Sequence, residues 1–321
     1  MHSLKKMIRE AMTICGINSL ARNTTRHMPR IIMYHGFCKT GDNDLQRTPI
    51  DLFRKHLNYI RKNYSPLKVS DLLLARKYNG SYPDKAVAIT IDDGYEDFYD
   101  LAFPVLKELG VPATVFVVSD LTEENGWMWP DKFYYIVECL KGSSHEMNVN
   151  VSQEILSNLK KLPVKKRDEQ LIEMAQKHNI NIPSGPPLKY KLMSWTQLKD
   201  LTKSNLIEIG SHTCTHPIMS YLNNKDSWYE INESKDMISN KLKVEITSFC
   251  YPNGQMGDYL EEHKKMLAQA GYLCSLAAHF GYVSEKSDIY ALPRIFEGGR
   301  SFNLFVSYID GIDYFLRKLF Q

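Results

Sequence analysis

The sequence is poor in several features that would narrow its role early. No run approaches the roughly 18 apolar residues that a membrane-spanning helix needs. The six cysteines, Cys15, Cys38, Cys139, Cys214, Cys250 and Cys274, form no Cys-x-x-Cys pair and no regular framework. A chain of 321 residues needs no disulfide staples, so reduced thiols are expected. Charge of one sign is scarce as well. Forty basic against 37 acidic residues leave a net +3, with no basic stripe interleaved with aromatics, and nucleic-acid binding is not indicated. The densest basic run, Lys160, Lys161, Lys165, Lys166 and Arg167, reads as a solvated helix face. The start of the chain carries Lys5, Lys6 and Arg9 but not the continuous apolar core of a signal peptide, which predicts a cytoplasmic protein. Leu4, Met7, Ile8, Ala11 and Cys15 fall at helical spacing there, so residues 1–30 are expected to be a helical extension. It either packs on the domain or makes peripheral membrane contact.

The chain does hold alternating apolar strands and amphipathic helices. Strands are expected at Ile31–Tyr34, Ala86–Ile91, Ala113–Val118, Leu206–Ile209, Ile246–Tyr251 and Leu273–Ala277. Helices are expected at 52–64, 69–78, 98–109, 228–242 and 259–270, with Ser70 a candidate N-cap. A further helix starts at Ser194, with Gln197 placed for a capping box. Strands that are apolar throughout belong in a parallel sheet covered on both faces. His35, Asp92 and Ser211 all fall at strand ends, which favours a (β/α) barrel with its site at the C-terminal rim. Residues 120–193, rich in Trp and Pro at their ends, break the alternation and read as a helical insertion on a domain spanning 31–303. Residues 304–321 carry Phe305, Tyr308, Ile309, Ile312, Phe315, Leu316 and Leu319 on one stripe. That predicts a closing helix packed on the barrel, or a dimer or membrane-surface helix.

Two clusters can do chemistry. "AITIDDGYEDF" places Asp92 and Asp93 directly after a buried strand, where carboxylates are costly unless paired. "EIGSHTCTHPIMS" places His212 and His216 four residues apart after another strand. If that segment is a helical turn, both imidazoles lie on one side and can share one metal ion, with an aspartate from another strand end as third ligand. Cys214 then faces elsewhere. Glu96 and Asp97 read as flanking the next helix. Trp127 and Trp129 could stack on a sugar or pack the insertion onto the barrel.

"TIDDG" followed by "SHTCTHP" resembles the two defining motifs of the polysaccharide deacetylases, the NodB-like carbohydrate esterases of family four. "MYHGF", the tryptophan-bearing insertion and "FCYPNG" are most similar to the exopolysaccharide branch. The resemblance implies a distorted (β/α) barrel of about seven strands. It implies metal-dependent hydrolysis of the N-acetyl group of an amino sugar in a bacterial polysaccharide or its precursor. It assigns Asp93, His212 and His216 as ligands of a divalent ion, Zn2+ first and Co2+ or Ni2+ next, and Asp92 as catalytic base. It puts the oxyanion donor at the N–H of Asn253, next to Tyr251, in "CYPNG". Two positions depart from the family pattern. Cys250 stands where an arginine usually orients the base, with Arg294 of "ALPRI" the nearest replacement. The late Leu-x-His motif that supplies the general acid is missing, and His279 lacks its context; His35 of "MYHGF" is the better candidate acid. Two other readings stand beside this one: hydrolysis of a non-sugar amide on the same scaffold, and a carbohydrate-binding protein without catalysis.

Overall fold

A computed structural model of the chain describes residues 17–42, 44–141, 149–312 and 314. Its strands, in chain order, are β1 (Arg30–Tyr34), β2 (Gly36–Cys38), β3 (Arg47–Pro49), β4 (Ser65–Leu67), β5 (Ala86–Ile91), β6 (Ala113–Val117), β7 (Ile207–Ser211), β8 (Ser248–Cys250), β9 (Cys274–Phe280) and β10 (Leu292–Phe296). Seven of them close into a parallel barrel in the order β1-β5-β6-β7-β8-β9-β10. β1 makes the closure. It pairs with β5 from Arg30 opposite Val87 to Tyr34 opposite Ile91, and with β10 through Ile32 opposite Ile295. β4 lies along the first half of β5, and β6 takes over at Thr90. β2 and β3 form a separate pair.

Side chains alternate between the two faces of each strand, so one sheet supplies two cores. Ile31, Ala88, Phe116, Leu276 and Leu292 pack together inside the barrel and onto helix Val69–Asn79. Ile32, Ile89, Val115, Ile209 and Phe249 face outward onto the surrounding helices. Gly210 makes room for the interior Phe116, since a Cβ there would sit 2.5 Å from the ring.

The barrel and its expected strands are present, and so is the Ser194–Gln197 capping box. Other expectations change. β10 was not foreseen, because Pro293 removes a ladder donor and disguises the strand; the register with β9 shifts there, between Leu292 and Arg294. Ser70 is not an N-cap. Lys68 holds that position, and the first helical N–H groups go to Thr114 Oγ1 (from Val69, 3.1 Å) and to the half-buried Glu208 (from Ser70, 3.1 Å). Burial pushes the Glu208 carboxyl up. Glu96 and Asp97 do flank the next helix, Asp97 at its N-cap position, but their carboxylates reach across loops: Glu96 accepts from Lys191 and Gln197, and Asp97 accepts from the Phe37 N–H and pairs with Arg47.

The insertion contains helices Ser119–Glu124, Trp129–Leu140, Val149–Lys160 and Val164–Lys177. Phe133, Ile136, Leu159 and Leu171 give it a core of its own. It is tied to the barrel rim by Glu96 N–H to Lys191 O and Met193 N–H to Gly94 O, at 2.8 and 2.9 Å.

Helix Ile17–Thr24 packs against helix Phe302–Asp310, which lies on the side of the barrel. Asp310 fastens both, accepting from Tyr59 (2.5 Å), Tyr64 (2.7 Å) and Arg22 (3.2 Å). The closing helix stops at Asp310, with Gly311 left-handed at φ 87°. The amphipathic stripe at Leu4–Cys15 and the positions Phe315, Leu316 and Leu319 lie outside the described residues. No helix among the described residues is long and apolar enough to cross a membrane.

Candidate active site

The site is built at the C-terminal ends of β1, β5, β7 and β8, with one side chain from within β10. β5 runs apolar to Ile91 and then delivers two aspartates in opposite directions. Asp92 continues the interior face that Ala88 and Thr90 occupy. Asp93 adopts a left-handed φ of 73°, and Gly94 follows at 76°, which turns the chain off the rim. Asp93 Oδ1 lies 3.4 Å from His212 Nε2 and 3.3 Å from His216 Nε2. Burial pushes the Asp93 carboxyl up, but the two imidazoles beside it outweigh this and hold it well below the ordinary carboxylate range.

The two histidines do not sit on a helical turn. Residues 212–216 form a loop in which Thr213 and His216 take φ values of 70° and 61°. Left-handed backbone is unfavourable for such residues by about 1–2 kcal/mol each, so something must hold the loop. Glu230, buried on helix Asn224–Leu242, does so by accepting from the N–H groups of Cys214 (2.7 Å) and Thr215 (3.0 Å) and the Thr215 hydroxyl (2.6 Å). Thr213 Oγ1 accepts from the His216 N–H at 3.0 Å. Cys214 is buried and outside the donor set, as expected. His212 Nδ1 donates to the Cys250 carbonyl at 2.7 Å, which leaves Nε2 free to ligate. Asp93, His212 and His216 thus offer one carboxylate oxygen and two imidazole nitrogens within 4.8 Å of one another, a donor set that suits a divalent ion.

Asp92 has a different partner. Arg294, from the interior face of β10, grips both its oxygens at 2.7 Å and also donates to Thr90 Oγ1 (3.2 Å) and the Ala277 carbonyl (2.9 Å). Burial pushes the Asp92 carboxyl up, but the guanidinium outweighs it and holds the group below its ordinary value. Cys250 Sγ touches Asp92 Oδ2 at 3.5 Å, and His35 Nε2 stands 3.9 Å from the same oxygen. The His35 side chain is 44% exposed and faces the cavity. His279, on β9, is outside the cavity lining.

These groups share a cavity of about 300 Å³. Asn253, at φ 60°, lies on its wall, and the insertion helix Val149–Lys160 reaches across to it through Lys160. Tyr251 also lines the cavity, but its ring stacks on Tyr259 (4.2 Å) and its hydroxyl donates to the Tyr290 carbonyl. Trp127 packs on Tyr135 and Tyr190 away from the cavity, whereas Trp129 lines it.

A sequence profile for the family described as polysaccharide deacetylase matches residues 79–274, more than half of the chain. The chain belongs to the polysaccharide deacetylase family. As a polysaccharide deacetylase it is a hydrolase of carbon–nitrogen bonds acting on an acetylated saccharide, in a family that generally works with a divalent metal. It is 26% identical over 284 residues to YxkH of Bacillus subtilis (strain 168), whose name assigns it to the same family; the match covers 88% of this chain and 76% of that one. It is 19% identical over 269 residues to the poly-β-1,6-N-acetyl-D-glucosamine N-deacetylase of Staphylococcus aureus, covering 81% and 70%. In fold it is similar to the Streptococcus pyogenes deacetylase PplD, with a TM-score of 0.58, 20% identity and coverage of 84% and 92%. The profile stops short of both His35 and Arg294, which come from strands on either side of the matched stretch.

Proposed function

We propose that the chain is a metal-dependent N-deacetylase of N-acetylglucosamine units in a bacterial exopolysaccharide or its precursor. One observation carries the reading: two adjacent aspartates are given opposite partners. Asp93 converges with His212 and His216, while Asp92 is fixed on Arg294 outside that set. The third motif carries Cys250 in place of the usual arginine, and that loss alone would favour a protein without catalysis. Arg294 now stands against Asp92 from another strand, which favours catalysis. The S. aureus relative named above supports an exopolysaccharide as substrate.

Asp93, His212 and His216 would hold the ion, Zn2+ first, with Co2+ and Ni2+ as alternatives. When bound, the ion polarises the acetyl carbonyl and acidifies a water. Asp92 is ionised and held in place by Arg294, and takes the water proton as general base. The backbone N–H of Asn253 is the oxyanion donor, and the Tyr251 ring shapes the wall beside it. His35, whose Nε2 stands 3.9 Å from Asp92 Oδ2 at the cavity, returns a proton to the leaving nitrogen.

The test is acetate release by metal-loaded protein from a panel of N- and O-acetylated saccharides and a non-sugar acetamide. Release is expected from the N-acetylated saccharides, and Asp92→Asn should abolish it while retaining the metal. Turnover of the acetamide alone, or full activity in Asp92→Asn, would sink the reading.

A further inference from the structure

The insertion lends the cavity three buried polar atoms that no group among the described residues satisfies, Asp131 Oδ2, Trp129 Nε1 and the Tyr190 hydroxyl, and the first two lie on one helical turn. Asp131 is 4% exposed; its Oδ1 accepts from the Tyr95 hydroxyl at 2.8 Å, and its Oδ2 has no partner. Trp129, on the same first turn of helix Trp129–Leu140, buries its Nε1 without an acceptor while the Arg167 guanidinium covers its ring at 4.4 Å. Both residues line the cavity that holds Asp92 and Asp93. Tyr95 joins the two halves, since it follows Asp93 by two residues and fixes Asp131 by its other oxygen.

Buried polar atoms are nearly always paired, and folded proteins carry few exceptions. Here an acceptor and a donor are left open on one wall, and both side chains are locked by packing. The apolar Tyr134 and Leu156 lie in the same lining. A lining with one fixed acceptor, one fixed donor and the Tyr134 ring and Leu156 side chain suits a sugar ring, whose hydroxyls both donate and accept. A lone carboxyl next to an indole does not suit a metal ion, and Asp131 belongs to none of the clustered donor sets.

We propose that Asp131 Oδ2 and Trp129 Nε1 form a saccharide subsite that hydrogen-bonds ring hydroxyls of the sugar bearing the acetyl group, so that the insertion sets which sugar is accepted. This rests on the reading of the site as a saccharide deacetylase. Burial pushes the Asp131 carboxyl up to about 8, so near neutral pH it is largely uncharged and can donate as well as accept.

The experiment is calorimetric titration of Zn2+-loaded protein, in an Asp92→Asn background that leaves substrate intact, with β-1,6- and β-1,4-linked N-acetylglucosamine pentamers. Asp131→Ala should weaken binding by roughly ten- to a hundredfold and Trp129→Phe, which removes the N–H, by several-fold. Bound zinc should stay unchanged. The thermal midpoint of Trp129→Phe should fall by only a few degrees, since packing volume but no native hydrogen bond is lost. Affinity within twofold of the background in both variants overturns the subsite, as does loss of zinc together with affinity. If the background binds neither pentamer, the saccharide reading itself fails. If it binds and the variants bind equally, only the subsite fails.

Discussion

Arg294→Met would show whether Asp92 is held by charge. Methionine keeps the bulk of the side chain in the barrel and removes every donor. The native guanidinium makes two bonds of 2.7 Å to a carboxylate that is 3% exposed, while being itself 1% exposed. Removing one partner of a buried pair costs about 3–5 kcal/mol, because the other charge stays behind. The bonds to Thr90 and Ala277 add about 1 kcal/mol each and are indifferent to the protonation of Asp92. In the native chain the folded pKa of Asp92 is depressed, so the pair's contribution is present above the ordinary value of about 3.9 and is lost as pH falls through the folded value. In the variant only burial acts, and the folded pKa rises above the unfolded one. Neutral Asp92 is then tolerated at low pH, and the penalty enters as pH rises through the raised value. The stability gap between native and variant, measured by urea denaturation of chelator-treated protein, should reach about 5–7 kcal/mol at pH 8, narrow by pH 4 as the variant's penalty is relieved, and approach about 2 kcal/mol only below the depressed folded value of native Asp92. The acid limb of kcat/KM should also move to higher pH. A gap equal at both pH values would refute the ion pair, whatever happened to activity.

Other consequences are as open to measurement. Asp93→Ala or His212→Ala should lose the bound metal, seen by elemental analysis after dialysis; wild-type content would contradict the three-donor set. Glu230→Ala should release the loop that carries His216 and weaken metal affinity by about 10–100-fold, with the far-ultraviolet spectrum unchanged. Gly210→Ala drives a methyl group to 2.5 Å from the Phe116 ring and should destabilise the chain by about 1–3 kcal/mol, with partial rescue by Phe116→Leu; no rescue would place the clash elsewhere.

Much of the barrel was legible because its strands are short, apolar and separated by amphipathic helices, and because the two motifs are local in sequence. The pair Asp92–Asp93 and the pair His212–His216 each lie within one turn of chain, so their nearness needed no folding argument. What brings the pairs together did need one. Arg294 was found as a residue but not as part of a strand, since Pro293 hides the ladder. The His-x3-His spacing suggests a helical turn, whereas it is a loop with left-handed residues that are not glycine; Asp93, His216 and Asn253 are of types that enter this backbone more readily than most, but Thr213 is not, and residue type alone does not mark which positions do so. Glu230 and Asp131 look like any acidic residue on a helix. They differ only in being buried, one fully engaged by the loop it holds and the other half engaged, and burial is a tertiary property.

The barrel seam has a consequence for biosynthesis. β1 and β10 meet where the ring closes, and they bring the early His35 and the late Arg294 to the same aspartate. During synthesis a chain extended through His216 already contains all three converging donors. The counter-charge for Asp92 has yet to emerge, and the ring cannot close without β10. On the roles proposed above, hydrolysis must await β10, and a product truncated before Arg294 leaves Asp92 without its counter-charge.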